Sequence, residues 1–348
     1  MLLSEFDFDL PHELIAQEPA ATRSASRLLV LDRATGAIHH SSIDALPGEL
    51  TAGDLVVVND TRVFAARLIG TRVPSGGAVE CLLLRRLGED LWQALVHPGQ
   101  QLKPGTRVRF GTNGPILHAE ILEQHTFGRR TIRLWREGDG DVDEAIDALG
   151  QIPLPPYIKR SADPSDRERY QTVYARTRGS VAAPTAGLHF TPEILDRLTA
   201  RGVERTAITL HVGYGTFEPI RTDVIEDHRI HAEPFEIPEV ASQAIERARA
   251  SGRRIVAVGT TTTRTLEHVA RMHEGHVPPS AGDADLFITP GFEFQVVGAL
   301  LTNFHLPRSS LLVLVSAFAG RELVLHAYQE AIRERYRFYS YGDAMLIL

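Results

Sequence analysis

The chain has 348 residues, 43% of them hydrophobic and 23% charged, with a formal net charge of -7 at pH 7. These values describe a globular chain long enough for two cores and exclude a disordered chain or a uniformly basic nucleic-acid binder. No apolar run reaches the ~20 residues needed to span a bilayer; the longest, Leu311 to Ala319, is interrupted by Ser316 and suits a buried helix. The first residues are acidic where a secretory leader is basic, and Cys81 is the single cysteine. The expectation is a reduced, cytoplasmic protein with no disulfide and no cysteine zinc knuckle.

In chain order, the first strong element is the buried-strand run Gly53 to Val58, followed by Asn59, Asp60, Thr61 and Arg62. An amide, a carboxylate, a hydroxyl and a guanidinium in four residues form a candidate site loop; an Asx-turn serving only the backbone is the alternative. The segment from Arg62 to Arg136 then changes texture. Strand-like runs at 78–84, 91–96, 107–110, 116–122 and 130–135 are separated by Gly-rich turns. Short, closely spaced strands of this kind predict a small antiparallel barrel or sandwich. The segment carries twelve bases and five acids, a net of +7 that leaves -14 on the rest of the chain. Arg85, Arg86, Arg129, Arg130 and Arg133 are therefore candidate phosphate contacts, or else members of solvated β faces.

Beyond the Pro-rich stretch 152–157, strands and helices alternate. Val181 to Ala183 read as a strand end, and Pro184 and Gly187 punctuate a turn. Thr191, Pro192 and Glu193 then open a helix that stops near Gly202, with a hydroxyl cap, a first-position proline and an early acid. Such a loop offers Thr185 and His189 at a strand-to-helix edge, where open α/β sheets hold ligands. A strand at 205–211 leads into His211, Gly213, Gly215 and Thr216, which is no dinucleotide fingerprint but permits close backbone approach to a ligand. A helix at 240–250 and a strand at 253–258 precede Gly259 and Thr260, Thr261, Thr262, Thr263 and Arg264. Hydroxyls and open amides at a helix start favour an anion, although the glycine and lysine spacing of a P-loop is absent. Further helices are expected from about Thr263 to Met272 and from Arg321 to Tyr336. His228, His231 and Glu233 would share a metal only on a helix, which Pro234 opposes, so no metal site is expected. His305 before Pro307 either points into a site or closes it, and Phe338 to Tyr341 offers aromatic faces.

Together these elements predict an α/β protein: a three-layer α/β core domain, mostly parallel in its sheet, with an inserted antiparallel β-barrel domain. The expected boundaries are 1–61 and 151–348 for the core and 62–150 for the barrel.

The same loops, in the same order, resemble the S-adenosylmethionine:tRNA ribosyltransferase-isomerase family of queuosine biosynthesis. The resemblance runs nearly end to end. It includes Phe6 to Leu10, Ser26 to Arg33, Asn59 to Val63, Pro153 to Ile158, Arg169 to Ala175 and Gly179 to Thr191. It continues through Ile208 to Gly213, Val258 to Thr262, Leu301 to Pro307, Leu314 to Gly320 and Tyr341 to Met345. It implies transfer and isomerisation of the ribosyl part of S-adenosylmethionine onto 7-aminomethyl-7-deazaguanine at the wobble position of a tRNA. Epoxyqueuosine-tRNA would form, with adenine and methionine leaving. S-adenosylmethionine would then be a consumed substrate and no resident cofactor is expected, the chain acting as a monomer away from any membrane. His189 and His211 become acid/base candidates, followed by Asp60 and His305, and the Thr260 to Arg264 segment becomes a cradle for the methionine carboxylate. The chain departs from the family pattern in lacking a proline within Val63 to Arg67, and at Phe292 and Gly298. A methyltransferase, a non-catalytic RNA-binding module and a zinc hydrolase remain the rival readings.

Overall fold

The computed structural model describes residues 1–348, apart from the side chain of Phe217. Its main element is a nine-stranded sheet. Four adjacent strands form its centre: Glu204–Leu210, Leu55–Asn59, Ile255–Val258 and Ala299–Asn303. All three pairings among them are parallel. Outside this centre the sheet is mixed. Glu233–Ile237 and Ser280–Ala284 add antiparallel on one side. On the other, Ala344–Ile347 pairs antiparallel with Ala299–Asn303 and parallel with Arg27–Leu31. The mostly parallel sheet expected from strand–helix alternation is thus confined to the centre and one further pair.

Val56, Val57 and Val58 are all buried, as a strand covered on both faces requires. Alternate residues feed two cores. Leu55, Val57, Ala257 and Leu300 pack with the helices Glu239–Ala250, Thr260–Met272, Ser310–Ala319 and Arg321–Arg333. Val56, Val58, Val258 and Leu301 pack with Ile194 and Leu198 of the helix Pro192–Ala200. That helix begins as its sequence demands, with the Thr191 hydroxyl accepting the Ile194 amide at 3.3 Å.

The barrel closes through six antiparallel strands: Arg67–Val73, Ala78–Arg86, Leu91–His97, Arg107–Phe110, Leu117–Gln124 and Arg129–Arg136. Period-two alternation fills it, with Val79, Cys81 and Leu83 inside on one strand and Trp92, Ala94 and Val96 on the next. The helix Val142–Leu149 plugs onto it through Ala145 and Ile146. Where the chain enters and leaves, Arg67 and Gln151 exchange backbone hydrogen bonds of 3.2 and 2.9 Å.

Three local expectations shift. The strand before the Pro184 turn is Thr177–Ser180, and Val181 and Ala182 instead donate to the Val212 carbonyl. The helix expected from Thr263 starts at Thr260, directly after Gly259 at φ +92°. The last long helix ends at Arg333, because Arg335 adopts φ +58°.

Candidate active site

The carboxyl ends of the four central parallel strands deliver Asn59, His211, Gly259 and Asn303 to one edge of the sheet. This is the edge at which open α/β sheets bind ligands. Two spaces lie there. A cleft of about 740 Å³ runs between the sheet edge and the barrel, lined by His211, Gly213, Gly215, Glu233, Arg129 and Arg178 among others. A small cavity of about 50 Å³, sharing Val212, is lined by Thr185, Thr216, Thr260, Thr261, Asn303 and His305 among others.

Asn59 is a structural clamp. Its side-chain oxygen accepts the Thr61 and Leu210 amides, both at 3.1 Å, and its amide donates to the Leu210 carbonyl at 2.9 Å. The clamp turns the chain so that the Thr61 hydroxyl sits 2.8 Å from His211 Nδ1. The Gly179 backbone packs on the other side of that ring, where a methyl group would stand 2.6 Å from Cε1. Asp60 accepts the Thr209 hydroxyl at 2.7 Å. Burial lowers the His211 pKa, while the charges of Asp60 and Glu236 oppose the shift. His211 is therefore neutral near pH 7 and faces the large cleft. Arg62 is exposed on the short strand Thr61–Val63, away from both spaces.

His189 and His305 have different surroundings. His189 Nε2 meets the Asn303 side-chain amide at 3.1 Å. Burial, with Arg23 and Arg337 adding like charge, pushes its pKa down to about 4. It stands behind Asn303 and reaches neither the cleft nor the small cavity. His305 lines the small cavity, with Nε2 2.8 Å from the Thr302 hydroxyl, and burial pushes its pKa down to about 3. Gly187 lies against the Tyr174 and Thr172 side chains and lines no cavity; its missing Cβ is what permits that contact.

The threonine cluster divides. Thr262, Thr263 and Thr265 turn their hydroxyls back to the Val258, Gly259 and Thr261 carbonyls at 2.8, 3.2 and 3.0 Å. That leaves Thr260, Thr261 and the first-turn amides as the anion-facing part. Arg264 is ion-paired with buried Glu233, whose other oxygen accepts the Gly213 amide at 2.8 Å. Glu233 therefore braces the glycine loop. His231 contacts Arg129 and Glu218 instead, at 2.9 and 3.3 Å, and His228 packs against Phe287.

Among the barrel arginines, Arg85 and Arg86 line the cleft and pair loosely with Asp283 and Asp143 at 3.3 and 3.1 Å. Arg129 lines it too, paired with Glu218 at 3.0 Å, and exposed Arg133 pairs with Asp90 at 3.1 Å. Arg130 does not belong to this set. It is 2% exposed and donates to the carbonyls of Gly99, Leu102, His125 and Arg129 inside the barrel wall. Its place was readable: Arg130, Ile132 and Leu134 share one strand parity, and the latter two are core.

Asn303, two positions before His305 in the Leu301 to Pro307 segment, is a site residue that its type alone does not single out. Its amide also reaches the Asp343 carbonyl at 3.4 Å, which can only accept. The amide orientation is thereby set, and the side-chain oxygen is left buried without a partner. An unsatisfied acceptor at the cavity wall suits a ligand donor.

A neutral histidine oriented by a hydroxyl, an anion-facing helix start and an arginine-edged cleft define an α/β enzyme with a barrel insert. The sequence pattern of the family described as "Queuosine biosynthesis protein" matches residues 3–347. The S-adenosylmethionine:tRNA ribosyltransferase-isomerase of Heliobacterium modesticaldum is 52% identical over 348 residues, covering 100% of both chains. That of Caldanaerobacter subterraneus subsp. tengcongensis is likewise 52% identical with full coverage of both. The solved S-adenosylmethionine tRNA ribosyltransferase of Thermotoga maritima is 40% identical, with a TM-score of 0.56 over 99% of this chain and 100% of that one. The chain belongs to the S-adenosylmethionine:tRNA ribosyltransferase-isomerase family.

Proposed function

We propose that the chain transfers the ribosyl part of S-adenosylmethionine to 7-aminomethyl-7-deazaguanine in the wobble position of a tRNA and isomerises it to epoxyqueuosine. The observation that carries this reading is His211, neutral and held by Thr61, on the wall of a 740 Å³ cleft edged by Arg85, Arg86 and Arg129. A sulfonium acidifies the adjacent 5′ carbon, and a neutral imidazole is the base suited to removing a proton there. The aminomethyl nitrogen must be neutral to attack, and the same imidazole would accept its proton once the first has passed to the departing adenine. Thr260, Thr261 and the helix start receive the methionine carboxylate. Asn303 and His305 stand in the same small cavity to bond donors of the nucleoside. S-adenosylmethionine is a substrate in this scheme, and the chain needs no resident cofactor.

The test is incubation of pure protein with S-adenosylmethionine and tRNA bearing the aminomethyl base, followed by chromatography and nucleoside mass analysis. Adenine, methionine and epoxyqueuosine-tRNA are expected. Production of S-adenosylhomocysteine would identify a methyltransferase and overturn the proposal, as would tRNA binding without release of adenine.

A further inference from the structure

Phe127 is the one aromatic side chain in the exposed class among the described residues, at 76% exposure. It sits at the tip of the turn joining the last two barrel strands, at φ +55°, a backbone region uncommon for a bulky residue. The adjacent Gly128 at φ +80° completes the turn. The guanidinium of Arg221 lies over its ring, 4.8 Å from the centroid, so the ring is held with one face spoken for. With Arg221 over one face and 76% of the residue exposed, the other face of the ring is open to a flat partner.

The ring edges a second cavity of about 690 Å³, between the barrel and the Pro153–Pro156 stretch. Lys159 stands on its rim beside Arg160, which Asp166 holds at 2.7 Å, and Tyr214 is a wall shared with the catalytic cleft. Arg221 is engaged by the Phe127 ring, and no ion pair among the described residues takes Lys159 or Arg221. A cationic rim with an exposed ring, sharing the Tyr214 wall with the cleft assigned to the modified base, suits a single-stranded polyanion with flat bases.

We propose that Phe127 stacks on an unpaired base next to the modified nucleotide, with Arg221 and Lys159 contacting the flanking phosphates. Phe127 is thus a binding and positioning residue for the RNA, outside the chemical step. The inference rests on the tRNA reading of the function.

An anticodon stem-loop RNA carrying 2-aminopurine on either side of the target base tests it without requiring turnover. Quenching on binding is expected with the parent protein, lost in Phe127→Ala and kept in Phe127→Trp. The alanine variant should bind the RNA about tenfold more weakly, the effect of one lost stacked base, with its KM for S-adenosylmethionine unchanged. Equal quenching and affinity in the alanine variant would overturn the proposal. Failure of the parent to bind the RNA at all would instead count against the functional reading itself.

Discussion

The Thr61 hydroxyl stands between His211 Nδ1 at 2.8 Å and the Thr177 carbonyl at 3.4 Å. A carbonyl only accepts, so the hydroxyl proton points to Thr177 and its oxygen accepts Nδ1–H. The proton of the neutral ring is then on Nδ1 and the lone pair on Nε2. A residue two positions beyond the strand Leu55–Asn59 thereby fixes the tautomer of a residue 150 positions later.

Replacing Thr61 with valine keeps the shape and removes that bond. The expected result is a fall in kcat of about tenfold, comparable to one net hydrogen bond, with both KM values near those of the parent. Steady-state kinetics with S-adenosylmethionine and tRNA varied separately read this out; an unchanged kcat would remove Thr61 from the relay.

The pH profile carries a signed expectation. Burial lowers the His211 pKa and the Asp60 charge raises it. Asp60→Asn deletes the larger of two raising contributions and leaves that of Glu236, so the pKa falls further and the basic form persists to lower pH. The acid limb of kcat/KM should move down in pH relative to the parent. A move upward, or none, would separate Asp60 from His211 electrostatically.

Gly179→Ala should lower activity and stability together. The new methyl group would meet the His211 ring, and Gly179 holds φ +156°, a backbone conformation that side-chain-bearing residues rarely adopt. A fall in kcat together with a lower melting temperature is expected, and an alanine variant with parental kcat and melting temperature would show that neither ring nor backbone is constrained there.

Arg130 and Arg133 should behave oppositely although they lie on one strand. Arg133→Gln leaves stability unchanged and lowers the slope of log affinity for tRNA against log salt by about 0.7–0.9 if it meets one phosphate. Arg130→Met removes a buried cation that serves four carbonyls. It should cost on the order of 3 kcal/mol of stability, measured by denaturant unfolding. A salt-slope change confined to Arg130→Met would contradict its burial.

Much of this architecture was readable before any coordinates. Val56 to Val58 could only be a strand buried on both faces, and Thr191-Pro192-Glu193 could only open a helix. The period-two runs between Ala78 and Arg136 called for a small antiparallel barrel or sandwich, because each strand carried one apolar face needing cover. These are local signals, set by side-chain alternation and capping chemistry within a few residues. The polar loops that follow the strands are legible for the same reason, and parallel strands bring the loops that follow them to one sheet edge.

The division of labour inside those loops was not. Thr260 to Thr263 are identical in residue type, yet helix phase turns Thr262 and Thr263 to their own backbone and leaves Thr260 and Thr261 at the cavity. His189 and His211 looked equivalent until packing placed one behind Asn303 and the other against Thr61. Glu233 looked like a possible metal ligand until the fold set it against Arg264 and the Gly213 amide. The sequence by itself determined which segments form strands, helices and turns, and which residue types reach the ligand edge. Only the tertiary structure decided which groups are free to act, because a hydrogen-bonding group has few valences and distant neighbours in space decide which of them are taken.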